Sequence, residues 1–268
     1  MRCSILSILI LGLLVCTSSV RAQEWAVQQL NQSPRHHEWV EVEAGDRTVH
    51  NFVVYPETDQ KSLAVIVIHE NRGLTDWVRS LADQLAGAGY LAIAPDLLSE
   101  FDAEHERTSD FESSDAARSA IYELDPEQVI SDLQAVQEYA AQLPAATGQT
   151  AVTGFCWGGS TTFRFATHDS DLSAALVFYG SPPADDRIPM ITAPVYGFYA
   201  ENDERINSTI PDTESLMAKH DKTYDYEIYP GVGHAFMRQA DAPDASEAAR
   251  QAKAEAFDRM TDILSRLE

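Results

Sequence analysis

An α/β fold, a mostly parallel twisted sheet with helices on both faces, is what this sequence predicts. Three observations carry it. Apolar runs recur at 63–68, 90–94, 151–153, 174–179 and 194–199, reading as strands buried on both faces. Amphipathic or capped stretches lie between them, so strand and helix alternate along the chain. Most of these runs close in polar or glycine-rich chain, which gathers reactive side chains at one edge of the sheet.

The first 22 residues stand apart. Arg2 precedes an apolar run at 4–16 that is short for a membrane span, and Val20-Arg21-Ala22 fits a small-x-small cleavage site. The expectation is a signal peptide, export to a periplasm or beyond, and a mature chain starting at Gln23. A lipoprotein is the weaker alternative, because Val15 stands before Cys16 where a small residue belongs. Cleavage removes Cys3 and Cys16 and leaves Cys156 as the one thiol, with no internal disulfide. An unpaired thiol in an oxidising compartment is a liability unless it does chemistry. The net charge is −23, and losing Arg2 and Arg21 makes it two units more negative. Such a surface excludes nucleic acid and stable association with anionic membrane. It also repels a small anion unless a local positive pocket counters it.

Residues 23–268 have the length of one domain. A polar lead-in covers 23–38, and its His36-His37 reads as a surface pair, since no second ligand pair stands nearby. The alternation at 39–43 and 48–55 around Gly45-Asp46 predicts an antiparallel hairpin. A central strand at 63–68 ends in His69-Glu70-Asn71-Arg72-Gly73. The spacing of Trp77, Leu81 and Leu85 predicts a helix over 75–88. The strand at 90–94 closes in Pro95-Asp96. Residues 97–123 are acidic and Ser/Ala-rich, an excursion over the active-site edge with a helix near 114–122. Asp125-Pro126-Glu127 starts a helix running to about 143. After the later strands come a helix at 211–220, a strand at 224–229 and a long Ala/Glu/Arg helix at 245–267.

The chemistry centres on Gly154-Phe155-Cys156-Trp157-Gly158, between a strand and a helix. Glycines two positions either side of a nucleophile mark a nucleophile elbow: the turn is so sharp that a Cβ at either flank would collide. The helix N-terminus behind Cys156 favours thiolate. The bland alternative is a buried Cys packing as a small hydrophobe. Asp203 follows a strand in Ala-Glu-Asn-Asp, and His234 follows the last strand in Gly-Val-Gly-His. Nucleophile, acid, base in that chain order is the order of the α/β-hydrolase fold. A histidine titrates near neutrality, and an acid behind it fixes its tautomer.

His-Glu-Asn-Arg-Gly at 69–73, Ala-Pro-Asp-Leu at 94–97, Gly-Phe-Cys-Trp-Gly-Gly at 154–159 and Gly-His-Ala-Phe-Met-Arg at 233–238 resemble the dienelactone hydrolases, or carboxymethylenebutenolidases. The resemblance runs from about residue 38 to the C-terminus. It implies a Cys156, His234, Asp203 triad, with backbone N–H groups of Asn71 and Trp157 as the oxyanion hole. It implies that Glu70 accepts a hydrogen bond from the resting thiol, and that Arg238 grips a substrate carboxylate. A surface acid beside Arg72 and a surface arginine remain the alternatives for those two. One departure stands out. The family's enzymes for dienelactones carry a second arginine shortly after Pro-Asp-Leu, where this chain has Glu100. Arg107 or Arg118 could compensate.

The expectation is a hydrolase of activated esters or lactones acting through a thioester acyl-enzyme, with no metal and no organic cofactor. Its partner is a small-molecule ester or lactone. The alternative is a catalytically silent binder of small carboxylates or lactones on the same fold.

Overall fold

The structure is a computed structural model and describes residues 23–267. The expected signal segment lies outside the described residues. The hairpin forms as β1 (His37–Ala44) and β2 (Arg47–Val54), with Gly45 at φ 68° in the turn. Next come β3 (Ser62–Ile68), β4 (Leu91–Pro95), β5 (Ala146–Phe155), β6 (Leu172–Phe178), β7 (Val195–Asn202) and β8 (Tyr224–Gly233). They make one sheet in the order β1-β2-β4-β3-β5-β6-β7-β8. Pairing is antiparallel through β1, β2 and β4 and parallel from β4 onward. The α/β-hydrolase fold expected from the sequence is present.

The continuous apolar run of β3 has a simple cause. Leu63, Val65 and Val67 face one core and Ala64, Ile66 and Ile68 the other. The first core is closed by α2 (Asp76–Gly87) and α9 (Glu247–Ser265), the second by α4 (Pro126–Gln142) and α5 (Trp157–Phe165). Trp77, Leu81 and Leu85 of α2 are fully buried, as their spacing requires. The Asp125 carboxylate accepts from the Glu127 amide at 2.9 Å and opens α4 with Pro126 in the first turn.

Three helices escape the sequence reading. The polar lead-in contains α1 (Glu24–Gln32), which buries only Ala26 fully and docks on α2 through Ser80 Oγ donating to Gln29 at 2.7 Å. Two short helices, α6 (Glu204–Asn207) and α8 (Phe236–Ala240), follow β7 and β8 directly. Between α5 and β8 also lies α7 (Ile210–Lys219), near the expected helix. The excursion after β4 carries α3 (Ser114–Ile121). Asp96 pins it: its carboxylate accepts from the Thr108 amide at 2.8 Å and the Thr108 hydroxyl at 2.6 Å.

Candidate active site

The carboxyl ends of β3, β5, β6, β7 and β8 meet at one edge of the sheet, and the expected site residues stand there. Cys156 lies between β5 and α5 at φ 58°, ψ −114°. This backbone conformation is strained for any residue with a Cβ, and the surroundings enforce it. A Cβ on Gly154 would enter the Gly158 carbonyl, and one on Gly158 would enter the His69 carbonyl. Glycine at both flanks is thus required by close backbone approach, as the elbow reading holds.

Asp203 follows β7 and is buried; His234 follows β8. His234 Nδ1 stands 2.5 Å from Asp203 Oδ2, which leaves Nε2 as the nitrogen available to a thiol. Burial works to lower the His234 pKa, but hydrogen bonding and charge at Cys156 and Asp203 outweigh it and raise it to about 8. The imidazole is edge-on to the Tyr179 ring, with centroids 5.0 Å apart.

Glu70 is 5% exposed, so it is no surface acid. One of its oxygens accepts from Arg238 Nε at 2.6 Å, and the other is buried with no hydrogen-bond partner among the described residues. The two residues assigned separate tasks by the resemblance therefore pair with each other. The Tyr179 hydroxyl is likewise buried without a partner. Burial, then the charge of Glu70, pushes its pKa well up, so it stays a neutral phenol.

Trp157 is the first residue of α5, where a helix amide has no intrahelical acceptor. The Asn71 side chain donates to the Tyr122 hydroxyl at 3.1 Å. Below Trp157, His69 is fully buried and stacked on the indole at 5.5 Å. Its Nε2 accepts from the Leu97 amide and its Nδ1 donates to the Glu70 carbonyl, a neutral tautomer that ties the β3 and β4 ends together. Burial lowers its pKa in the same sense.

Cys156, His234 and Glu70 open on a cavity of about 600 Å³. Its walls carry four arginines: Arg72 after β3, Arg118 on α3, Arg205 on α6 and Arg238 on α8. Arg118 lines it, as one of the two compensating candidates. Arg107 instead lies over the Trp39 ring at 5.1 Å and is not part of the wall. Glu100 is not part of it either, because its carboxylate accepts from the Thr48 amide at 2.9 Å. The departure at Glu100 therefore puts no carboxylate into the wall of this cavity. Sequence reasoning missed Arg205 and Tyr179 and gave Arg72 no role of its own. Their only signal is position, within four residues of the carboxyl ends of β7, β6 and β3.

Comparison with known proteins finds similarity over most of the chain. The family model described as the dienelactone hydrolase family matches residues 49–267. A protein from Saccharolobus solfataricus, provisionally named a carboxymethylenebutenolidase, is 31% identical over 81% of this chain and 93% of its own. Carboxymethylenebutenolidase 1 of Cupriavidus pinatubonensis is 29% identical over 78% of this chain and 90% of its own. Among solved structures, a dienelactone hydrolase-type protein from Klebsiella pneumoniae superposes with a TM-score of 0.75 at 24% identity, over 86% of this chain and 98% of that one. A dienelactone hydrolase-like promiscuous phosphotriesterase from metagenomic libraries gives 0.72 at 20% identity, over 87% and 98%.

Proposed function

The chain belongs to the dienelactone hydrolase family, a family of lactone and ester hydrolases, and from that premise we propose a cysteine hydrolase of anionic lactones or activated esters. The observation that carries the proposal is the His234–Asp203 pair beside Cys156 at the mouth of an arginine-walled cavity in an otherwise acidic protein. Four guanidinium groups recruit a carboxylate that the outer surface repels.

His234 Nε2 takes the Cys156 proton while Asp203 holds Nδ1–H, giving a thiolate beside an imidazolium. The thiolate attacks the substrate carbonyl, and the new C–S bond pushes an electron pair onto oxygen. The amides of Asn71 and Trp157 receive that oxyanion, at about 3–4 kcal/mol per well-placed donor. Collapse breaks the C–O bond. The leaving enolate or alcohol takes the proton from His234, and a thioester remains. Water then gives its proton to His234 and attacks the thioester, and the thiol is restored with release of acid. Glu70 pairs with Arg238 rather than with the resting thiol that the resemblance implied, and a substrate carboxylate competes with it for Arg238.

The test is hydrolysis of p-nitrophenyl acetate and of a cis-dienelactone by the mature chain, beside Cys156→Ser. Both are turned over by the native chain, and the variant loses at least ~10³-fold, as removal of a nucleophile does. Mass spectrometry of a rapidly quenched reaction finds the acyl group on Cys156. Full activity in Cys156→Ala sinks the mechanism, and a dienelactone bound but recovered unchanged supports the silent binder. Export belongs to the same proposal. Gln23 Oε1 accepts from the Trp77 amide at 3.3 Å, so a mature chain starting there has its first side chain docked. The intact mass of the periplasmic protein tests it.

A further inference from the structure

A second cavity, also about 600 Å³, lies against the first. Tyr122, Trp157 and Ser160 line both. The two differ in chemistry. The catalytic cavity has guanidinium walls, whereas the second is floored by Ile121, Leu124, Val129, Ile130, Pro182 and Pro183. Polar groups at its rim are already engaged. Arg164 donates to Glu127 at 2.5 Å, and Arg187 donates to His168 Nε2 at 2.7 Å. An arginine can only donate, so His168 Nε2 is the acceptor there. The open chemistry of this lobe is therefore its apolar floor. Between them stands Tyr122, the residue that follows α3 in the excursion pinned by Asp96.

We propose that the apolar lobe is a second substrate subsite, and that the substrate is an elongated ester or lactone with its carboxylate among the arginines and an apolar arm across Tyr122 and Trp157 in this lobe. The proposal rests on the hydrolase assignment for the word substrate, but the pairing of an anionic and an apolar subsite stands on the two cavities alone. The continuity of the lobes through three shared residues selects one bifunctional ligand over two separate ones. A compact dienelactone fills the arginine lobe and leaves the apolar one to water.

The test separates the two ideas. Calorimetric titration of the mature chain with acetate, phenylacetate, 4-phenylbutyrate and 6-phenylhexanoate reads the lobe without any turnover. Affinity rises by roughly fourfold for each methylene that enters it, and then levels off once the lobe is full. Leu124→Trp fills the floor and flattens the series. Ala184→Trp, at an exposed lining position, does the same where the first variant fails to fold. Affinity independent of arm length, or a gradient that survives both variants, overturns the proposal. In parallel, kcat/KM is compared for carboxylate-bearing esters with short and long apolar arms. A long-to-short ratio of about ten or more that falls toward one in the filled variants supports the subsite. Hydrolysis with no arm preference keeps the hydrolase and overturns the subsite. A binding gradient with no hydrolysis keeps the subsite and overturns the hydrolase.

Discussion

Asp83 and Glu70 are the same kind of residue in two opposite situations. Each is 5% exposed, and each faces one arginine. Asp83, on α2, accepts from Ser33 Oγ, from Arg35 through Nε and Nη2, and from His37 Nε2, all between 2.5 and 2.9 Å. Glu70, just beyond β3, has one bond from Arg238 and one buried oxygen with no partner among the described residues. A saturated buried carboxylate fastens the α1 and β1 lead-in to α2. A half-satisfied one, at a cavity mouth beside an unpartnered Tyr179 hydroxyl, is an arrangement a substrate can complete.

The largest effect comes from breaking the saturated side. Asp83→Ala strands Arg35 in a partly buried site and destabilises the fold by about 3–5 kcal/mol, as loss of one partner of a buried pair does. Urea unfolding measures this. The folded fraction keeps its kcat/KM. Burial opposes ionisation of Asp83, yet hydrogen bonds from Arg35, Ser33 and His37 win and hold its pKa below the usual carboxylate value. Its contribution is thus present above the unfolded value near 3.9 and lost as pH falls through the lower folded value. A melting temperature that drops as steeply in acid for Asp83→Asn as for the native chain would contradict the assignment.

Breaking the other pair shows in turnover. Arg238→Met lowers kcat/KM for an anionic lactone by about 10–100-fold, the range for one charge-assisted hydrogen bond. A neutral acetate ester loses less. Equal loss on both would show that Arg238 only braces Glu70. Glu70→Gln is smaller again. It replaces the carboxylate by a neutral amide that still accepts from Arg238, and turnover of the anionic substrate falls by about tenfold or less.

How far the sequence reveals each side follows from the range of the forces involved. β3, α2 and the elbow are legible because local patterning dictates them: alternation into two cores, a helical stripe, glycines forced by backbone contact. Cys156, Asp203 and His234 are legible because each ends a strand, and strand ends converge at one edge. The arginine wall is not, because Arg72, Arg118, Arg205 and Arg238 come from four segments whose nearness exists only after folding. For the same reason the Glu70–Arg238 bond is invisible in a chain where 168 positions separate the partners. α1 escapes because its nine residues place only a few apolar side chains, Trp25, Ala26 and Leu30 among them, against the core, too few turns for a helical period to stand out in a polar lead-in. The apolar lobe escapes too, since its residues read as ordinary core of α3 and α4.

The smallest effect concerns the proton between Cys156 and His234. The folded His234 value of about 8 lies above the ordinary 6.5, so the folded state favours imidazolium. That contribution to stability is complete below the unfolded value near 6.5 and is lost as pH rises through 8. The His234 ring resonances titrate near 8 in the native chain and lower in Cys156→Ala, where the thiol's share is gone and only Asp203 opposes burial. A midpoint unmoved in Cys156→Ala would mean that the thiolate does not hold the imidazolium. Turnover carries the same proton. With an alkyl alcohol as leaving group, expulsion needs the His234 proton, and kcat/KM falls alkaline of about 8. With p-nitrophenolate, which departs unprotonated, the thiolate alone suffices and that limb fades. The difference between the two profiles isolates the proton donor from the nucleophile, and Asp83→Asn, acting far from the pair, leaves both profiles where they are.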